Sequence, residues 1–84
     1  MSDTEQTTLV PEIRGILSQH GRMPVEQLQE GDDLYSAGLT SLATVAVMLA
    51  LEDKFNVEFP DTMIGRRTFK SIESIADAIR QLAA

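Results

Sequence analysis

The chain has 84 residues, 43% of them hydrophobic, no cysteine and a formal net charge of -6, which bounds it to one small domain with a single core. Without cysteine there is neither a disulfide framework nor a thiolate metal site, so helix packing alone must hold the fold and modest stability is expected. The acidic balance argues against nucleic acid or an anionic membrane surface as a partner and favours basic protein surfaces. Met1-Ser2-Asp3-Thr4-Glu5 is polar and acidic and reads as no signal peptide, and no apolar stretch is long enough to span a bilayer, so a cytoplasmic location and no membrane partner are expected. The lone histidine, His20, lies far along the chain from the best-placed serine, which leaves that serine without a base. Metal-ligand clusters, a phosphate-cradling glycine loop and a dinucleotide fingerprint are absent. The expectation is a chain that catalyses nothing and holds no metal.

The first helix is expected to begin near Thr8 as N-cap, with Pro11 in its opening turn. Leu9, Ile13, Ile16 and Leu17 follow the spacing of one buried stripe, and Gly21 after His20 is a natural stop. Residues 1–6 are expected to fray. Between Gly21 and Thr40 runs a long loop containing Pro24, Gly31 and Gly38. In so small a domain such a loop must be tied down or functional. Met23, Val25, Leu28, Leu34 and Leu39 read as its ties, with a helical turn around Val25 to Gln29 and a tight backbone turn at Gly38.

The second helix, Ser41 to Phe55, carries the most information. Thr40 can cap it by accepting a first-turn N–H. From Leu42 to Leu51 every residue but Thr44 is apolar, yet the domain has too little protein to bury a helix on all sides. Two stripes separate. Thr44, Val47, Met48, Leu51 and Phe55 read as the core face. Leu42, Val45, Ala46 and Leu49 then face outward beside Ser41, rimmed by Glu52 and Asp53, as an interaction patch. Ser41 itself stands at the head of this helix with its hydroxyl expected to face water.

Asn56 to Asp61 reads as an extended connector, because Pro60 biases Phe59 away from helix. Asp61 is expected to cap a brief third helix through Met63 and Ile64, ended by Gly65. Arg66-Arg67, the only adjacent basic pair, reads as a solvated helix end rather than an anion site. Phe69 anchors the next turn, and Ser71 caps a last helix whose inner face is Ile72, Ile75, Ala76, Ile79 and Leu82. Glu73 and Arg80 suit its dipole. From Glu26 to Asp61 eight carboxylates face one cation, Lys54, a charge run that aids solubility and steers a basic partner toward Ser41. The architecture expected is all-α: one domain, 1–84, a small four-helix bundle of three main helices and one short one with a long first loop.

The run Asp32-x-Leu34-x-x-x-Gly38-x-x-Ser41-Leu42, with Ala50-Leu51-Glu52-Asp53-Lys54-Phe55, Phe59-Pro60-Asp61 and Phe69-Lys70-Ser71-Ile72, resembles the acyl carrier proteins. The resemblance covers Leu9 to Leu82. It implies that Ser41 receives a 4'-phosphopantetheine arm from coenzyme A through a magnesium-dependent phosphopantetheinyl transferase, and that cargo rides on the arm's thiol as a thioester. Two departures stand out. Thr40 replaces the aspartate such proteins place before the serine, which puts modification by a standard transferase in doubt. Ala43 and Ala46 replace the acids that fatty-acid carriers offer to partner arginines, so docking should rest on apolar contact through Leu42, Val45, Ala46 and Leu49, beside Thr40 and Asp53. The chain is therefore closer to a specialised carrier of polyketide or peptide type, or to the aminoacyl carrier proteins loaded by ligases similar to class II aminoacyl-tRNA synthetases. The neutral second helix and compact length favour the last, as a monomer. The competing readings are an unmodified helical adaptor that binds through the apolar stripe, and a hydrolase using Ser41, which lacks a base.

Overall fold

The computed structural model describes the backbone of residues 2–83 and the side chains of residues 9–83. The expected fraying of residues 1–6 therefore concerns side chains outside the described residues. Four α-helices follow in order: α1 (Ser2–His20), α2 (Leu34–Ala37), α3 (Ser41–Phe55) and α4 (Ile72–Ala83), with a 3-10 turn at Asp61–Met63 between the last two. No strand occurs among the described residues. The all-α architecture of three long helices with short ones between them is as the sequence implies.

Helix α1 packs against both α3 and α4. Its stripe of Leu9, Ile13, Ile16 and Leu17 is buried, and it meets Val47 and Leu51 of α3 and Ile72, Ile75, Ala76, Ala78 and Ile79 of α4 in one core. The start of α1 differs from expectation: the helix begins at Ser2, not near Thr8, and Pro11 lies inside it. No glycine or proline between Ser2 and Thr8 stops the helix, and Pro11 costs it one backbone hydrogen bond, the one its missing N–H would have made to residue 7.

The end of α1 shows why Gly21 is glycine. A Cβ built there would lie 2.6 Å from the Leu17 carbonyl oxygen and 3.3 Å from Val47 Cγ2, so the backbone of α1's own last turn leaves no room for a side chain and Val47 of α3 closes the other side. The left-handed residue of this turn is Arg22, with φ 54°, rather than the glycine. Where space allows, Gly→Ala stabilises through the unfolded chain; at Gly21 overpacking reverses the sign. Gly21→Ala should lose about 1–3 kcal/mol, lowering Tm by roughly 5–20 °C in a thermal melt followed by circular dichroism. An unchanged or raised Tm would contradict the close approach.

The long loop is tied as expected and also in a way the pattern does not show. Met23, Leu34 and Leu39 are buried, and Val25 and Leu28 pack against the core. In addition its backbone bonds to the start of α4: the Leu34 N–H donates to the Lys70 carbonyl, at 2.6 Å, and the Glu73 N–H to the Glu30 carbonyl, at 2.9 Å. Arg14 donates through Nη1 to the Val25 carbonyl at 2.9 Å. The expected turn at Val25 is a single Leu28 N–H to Val25 carbonyl bond, while the helical element of this loop is α2. Asp33 caps it, its Oδ1 accepting from the Tyr35 and Ser36 N–H groups. Gly38 ends it at φ 127°, where a side-chain-bearing residue would be strained.

The remaining caps explain the other element ends. Asn56 closes α3 in the left-handed region, φ 55° and ψ 49°, which asparagine tolerates well. Asp61 does not cap the 3-10 turn; Pro60 holds the cap position and makes no side-chain bond, since Asp61 already lies within the turn. Ser71 caps α4 as expected: its Oγ accepts the Ser74 N–H at 3.0 Å, and Ser74 Oγ accepts the Ser71 N–H at 3.0 Å, a reciprocal box with serine at its third position. Phe59 and Phe69 are both buried, their rings 5.3 Å apart and tilted by 53°.

Candidate functional site

Ser41 is the first residue of α3 and is exposed. The loop delivers it there through Leu39, buried against the core, and through Thr40, whose Oγ1 accepts the Ala43 N–H at 3.0 Å. Thr40 thus does the capping and leaves the Ser41 hydroxyl without that duty. The backbone N–H groups of the first turn lack intrahelical partners, and the positive end of the helix dipole favours an anion at this end.

The two faces of α3 separate as the pattern implies. Val47 and Leu51 are buried, and Thr44, Met48 and Phe55 are half-buried. On the other side Leu42 is 84% exposed, Val45 51% and Leu49 56%, with Ala46 exposed between them. Such a row of uncovered apolar side chains beside the exposed Ser41 is more than scattered surface leucine. The rim differs from expectation. Asp53 is exposed, but Glu52 is half-buried and its Oε2 accepts the Phe59 N–H at 2.9 Å. Glu52 therefore fastens the connector and is not a free rim charge. Lys54 likewise pairs with Glu12 across α1 and α3, at 3.6 Å.

Beside Ser41 lies a groove of about 250 Å³ lined by Tyr35, Ser41, Thr44, Val45, Met48, Ile64, Gly65, Arg66 and Phe69. It runs between α3 and the segment after the 3-10 turn. Ile64, 47% exposed, gives it an apolar outer wall. Tyr35 forms its floor toward α2: the Thr44 hydroxyl donates to the Thr40 carbonyl at 2.7 Å and lies 3.3 Å from the Tyr35 hydroxyl. Arg66 sits over the Tyr35 ring, its Cζ 4.3 Å from the centroid, a cation–π contact. Arg66 is exposed, as expected, but it lies in a turn, is stacked on Tyr35 and lines the Ser41 groove. Sequence reasoning missed Tyr35, Ile64 and Arg66 as site residues. The one signal available was the basic pair in an acidic chain; nothing in the spacing tells that residue 66 folds back over residue 35.

An exposed hydroxyl at a helix start, an adjacent apolar groove and a nearby guanidinium suit a phosphate-linked flexible arm. The residues present fit 4'-phosphopantetheine: Ser41 offers the oxygen for its phosphate, and the groove wall suits its aliphatic body.

Comparison with known proteins agrees with this geometry. Residues 11–79 match the family model described as phosphopantetheine attachment site. The chain is 43% identical over 70 residues to the aminoacyl carrier protein of Agrobacterium fabrum (strain C58 / ATCC 33970), covering 81% of this chain and 84% of that one. It superposes with a TM-score of 0.84 and 40% identity on a solved structure of an engineered Bradyrhizobium japonicum glycine:[carrier protein] ligase complexed with carrier protein from Agrobacterium tumefaciens and ATP, covering 87% of this chain and 97% of that one. A further match, at TM-score 0.66 and 27% identity over 84% and 93% of the two chains, is to the Bradyrhizobium japonicum ligase complexed with glycylated carrier protein. The chain belongs to the phosphopantetheine-attachment family of carrier proteins.

Proposed function

We infer that Ser41 is the attachment point of the arm and that the chain carries an aminoacyl group on it, presenting that group to partner enzymes. The observation that carries the reading is the exposed Ser41 at the start of α3, flanked by an uncovered apolar stripe and a groove. When bound, the arm supplies a terminal thiol on which cargo is held as a thioester, the sulfur chemistry a cysteine-free chain lacks. The chain's own residues position and dock: Thr40 caps the helix that holds Ser41, and Leu42, Val45, Ala46 and Leu49, bordered by Thr40 and Asp53, form the face that meets enzymes. The chain catalyses nothing in this reading.

An amino acid is favoured over a fatty acid as cargo for two reasons. The exposed face of α3 is neutral and apolar from Leu42 to Leu49, unlike the acidic face that fatty-acid carriers offer. The similar carriers are an aminoacyl carrier protein and a glycylated carrier bound to its ligase. The partners are then a phosphopantetheinyl transferase and an aminoacyl-loading ligase similar to an aminoacyl-tRNA synthetase. The setting is the cytoplasm and the working form a monomer. Exposed carboxylates such as Asp53, at the far end of the apolar stripe, steer basic partner surfaces.

Intact-mass spectrometry of the protein isolated from its native cell tests this directly. The expected spectrum shows the chain plus one phosphopantetheinyl group, with a further increment equal to one small aminoacyl residue that hydroxylamine removes. A bare chain, unmodified also by several transferases with coenzyme A, would defeat the reading. A fatty-acyl increment would keep the arm and overturn the cargo.

A further inference from the structure

We propose that Arg66 binds the phosphodiester that joins the arm to Ser41 and so holds the root of the arm at the mouth of the groove; this rests on Ser41 being the attachment point. Three of the other cations are engaged elsewhere. Lys54 pairs with Glu12 and Arg80 with Asp77, and Arg14 holds the Val25 carbonyl. Arg66, Arg67 and Lys70 make no ion pair among the described residues. They line, with Asp33, a second concavity that shares Arg66 with the Ser41 groove. Asp33 caps α2 through Oδ1 and makes no ion pair with them.

Arg66 is also the one cation that lines the same groove as Ser41. Its place over the Tyr35 ring restricts the side chain, while the N–H groups at the guanidinium edge find no acceptor among the described residues. The two non-bridging oxygens of a phosphodiester on Ser41 offer those donors a two-point acceptor of opposite charge, a geometry arginine matches and lysine does not. Tyr35 is in turn fixed to α3 through the Thr44 hydroxyl, so the guanidinium is referenced to the helix that carries the serine. Holding the root this way points the arm along the groove between Met48 and Ile64 rather than freely into water.

The test is ³¹P NMR of the arm-bearing protein, made with a transferase and confirmed by intact mass, at low and at molar salt. In the parent the phosphodiester resonance should sit away from that of the same arm-bearing protein unfolded in urea, and move toward it as salt screens the pair. The contacted population should be favoured about two- to fivefold, the range of an exposed charge pair. Arg66→Gln should place the resonance at the unfolded-protein position and abolish the salt response, and Arg66→Lys should retain part of both. Arg67→Gln, which alters a neighbouring charge outside the groove, should leave the parent resonance in place. Identical resonances in the parent and Arg66→Gln, both fully modified, would overturn the proposal while leaving Ser41 as the tether. An equal shift in Arg67→Gln would replace a specific contact by a diffuse field and overturn it too. A parent whose mass shows no arm removes the attachment reading and this proposal together.

Discussion

Ser41→Ala is expected to melt within about 0.5 kcal/mol of the parent and to take up no phosphopantetheinyl group at all. The stability half follows from the division of labour at the start of α3. Thr40 provides the cap through Oγ1, and no hydrogen bond of the Ser41 hydroxyl exists among the described residues, so deleting it leaves nothing unsatisfied. The chemical half is absolute rather than graded, because the transfer needs an oxygen nucleophile on the residue and alanine has none. Circular dichroism reads the first outcome, and intact mass after incubation with transferase, magnesium and coenzyme A reads the second. If Ser41→Ala still gains the arm, the tether lies on another hydroxyl and the geometry described here serves a different end.

Val45→Glu and Leu49→Glu should each cut ligase charging by about thirtyfold or more, the loss that follows removal of a central interface side chain. Both side chains are about half exposed, so a carboxylate at either position stays hydrated in the free protein and stability should change by less than about 0.5 kcal/mol. In the docked state the same carboxylate is pressed against an apolar partner surface and loses its water. The two effects separate in experiment: charging kinetics against arm-bearing protein should collapse while the thermal melt is unmoved. A large drop in Tm would place these side chains in the core, and unchanged charging would move the docking face elsewhere. Either result would contradict the partition of α3 into two stripes.

That partition shows how much the pattern of residues reveals. Leu9, Ile13, Ile16 and Leu17 repeat at helical spacing and are buried. The same holds for Ile72, Ile75, Ala76 and Ile79. From Leu42 to Leu51 every residue of α3 but Thr44 is apolar, so periodicity alone does not choose a face. So small a chain has no material to cover both, and the large aromatic Phe55 marks the covered side. The bounds Ser41–Phe55 were readable because a threonine cap precedes and an asparagine in the left-handed region follows. The start of α1 was misread because Thr8 is a good cap in isolation, and a cap preference of about 1 kcal/mol does not stop a helix whose preceding residues continue it.

Glu52 and Arg66 show the opposite limit. In the sequence Glu52 is one of a pair of acids at the end of an apolar helix, and only the path of the connector brings the Phe59 N–H to its carboxylate. Arg66 follows a glycine and reads as solvated; only the fold lays it over Tyr35, thirty-one positions earlier.

Local patterning was enough to specify the three long helices apart from the start of α1, the inner faces, the loop anchors and a serine at a helix start, because each depends on residues within a turn or two of one another. The groove beside that serine and the tie between residues 30–34 and 70–73 arose only when the helices docked. These features join residues distant in the chain, and their partners are set by interhelical geometry that no short-range spacing encodes.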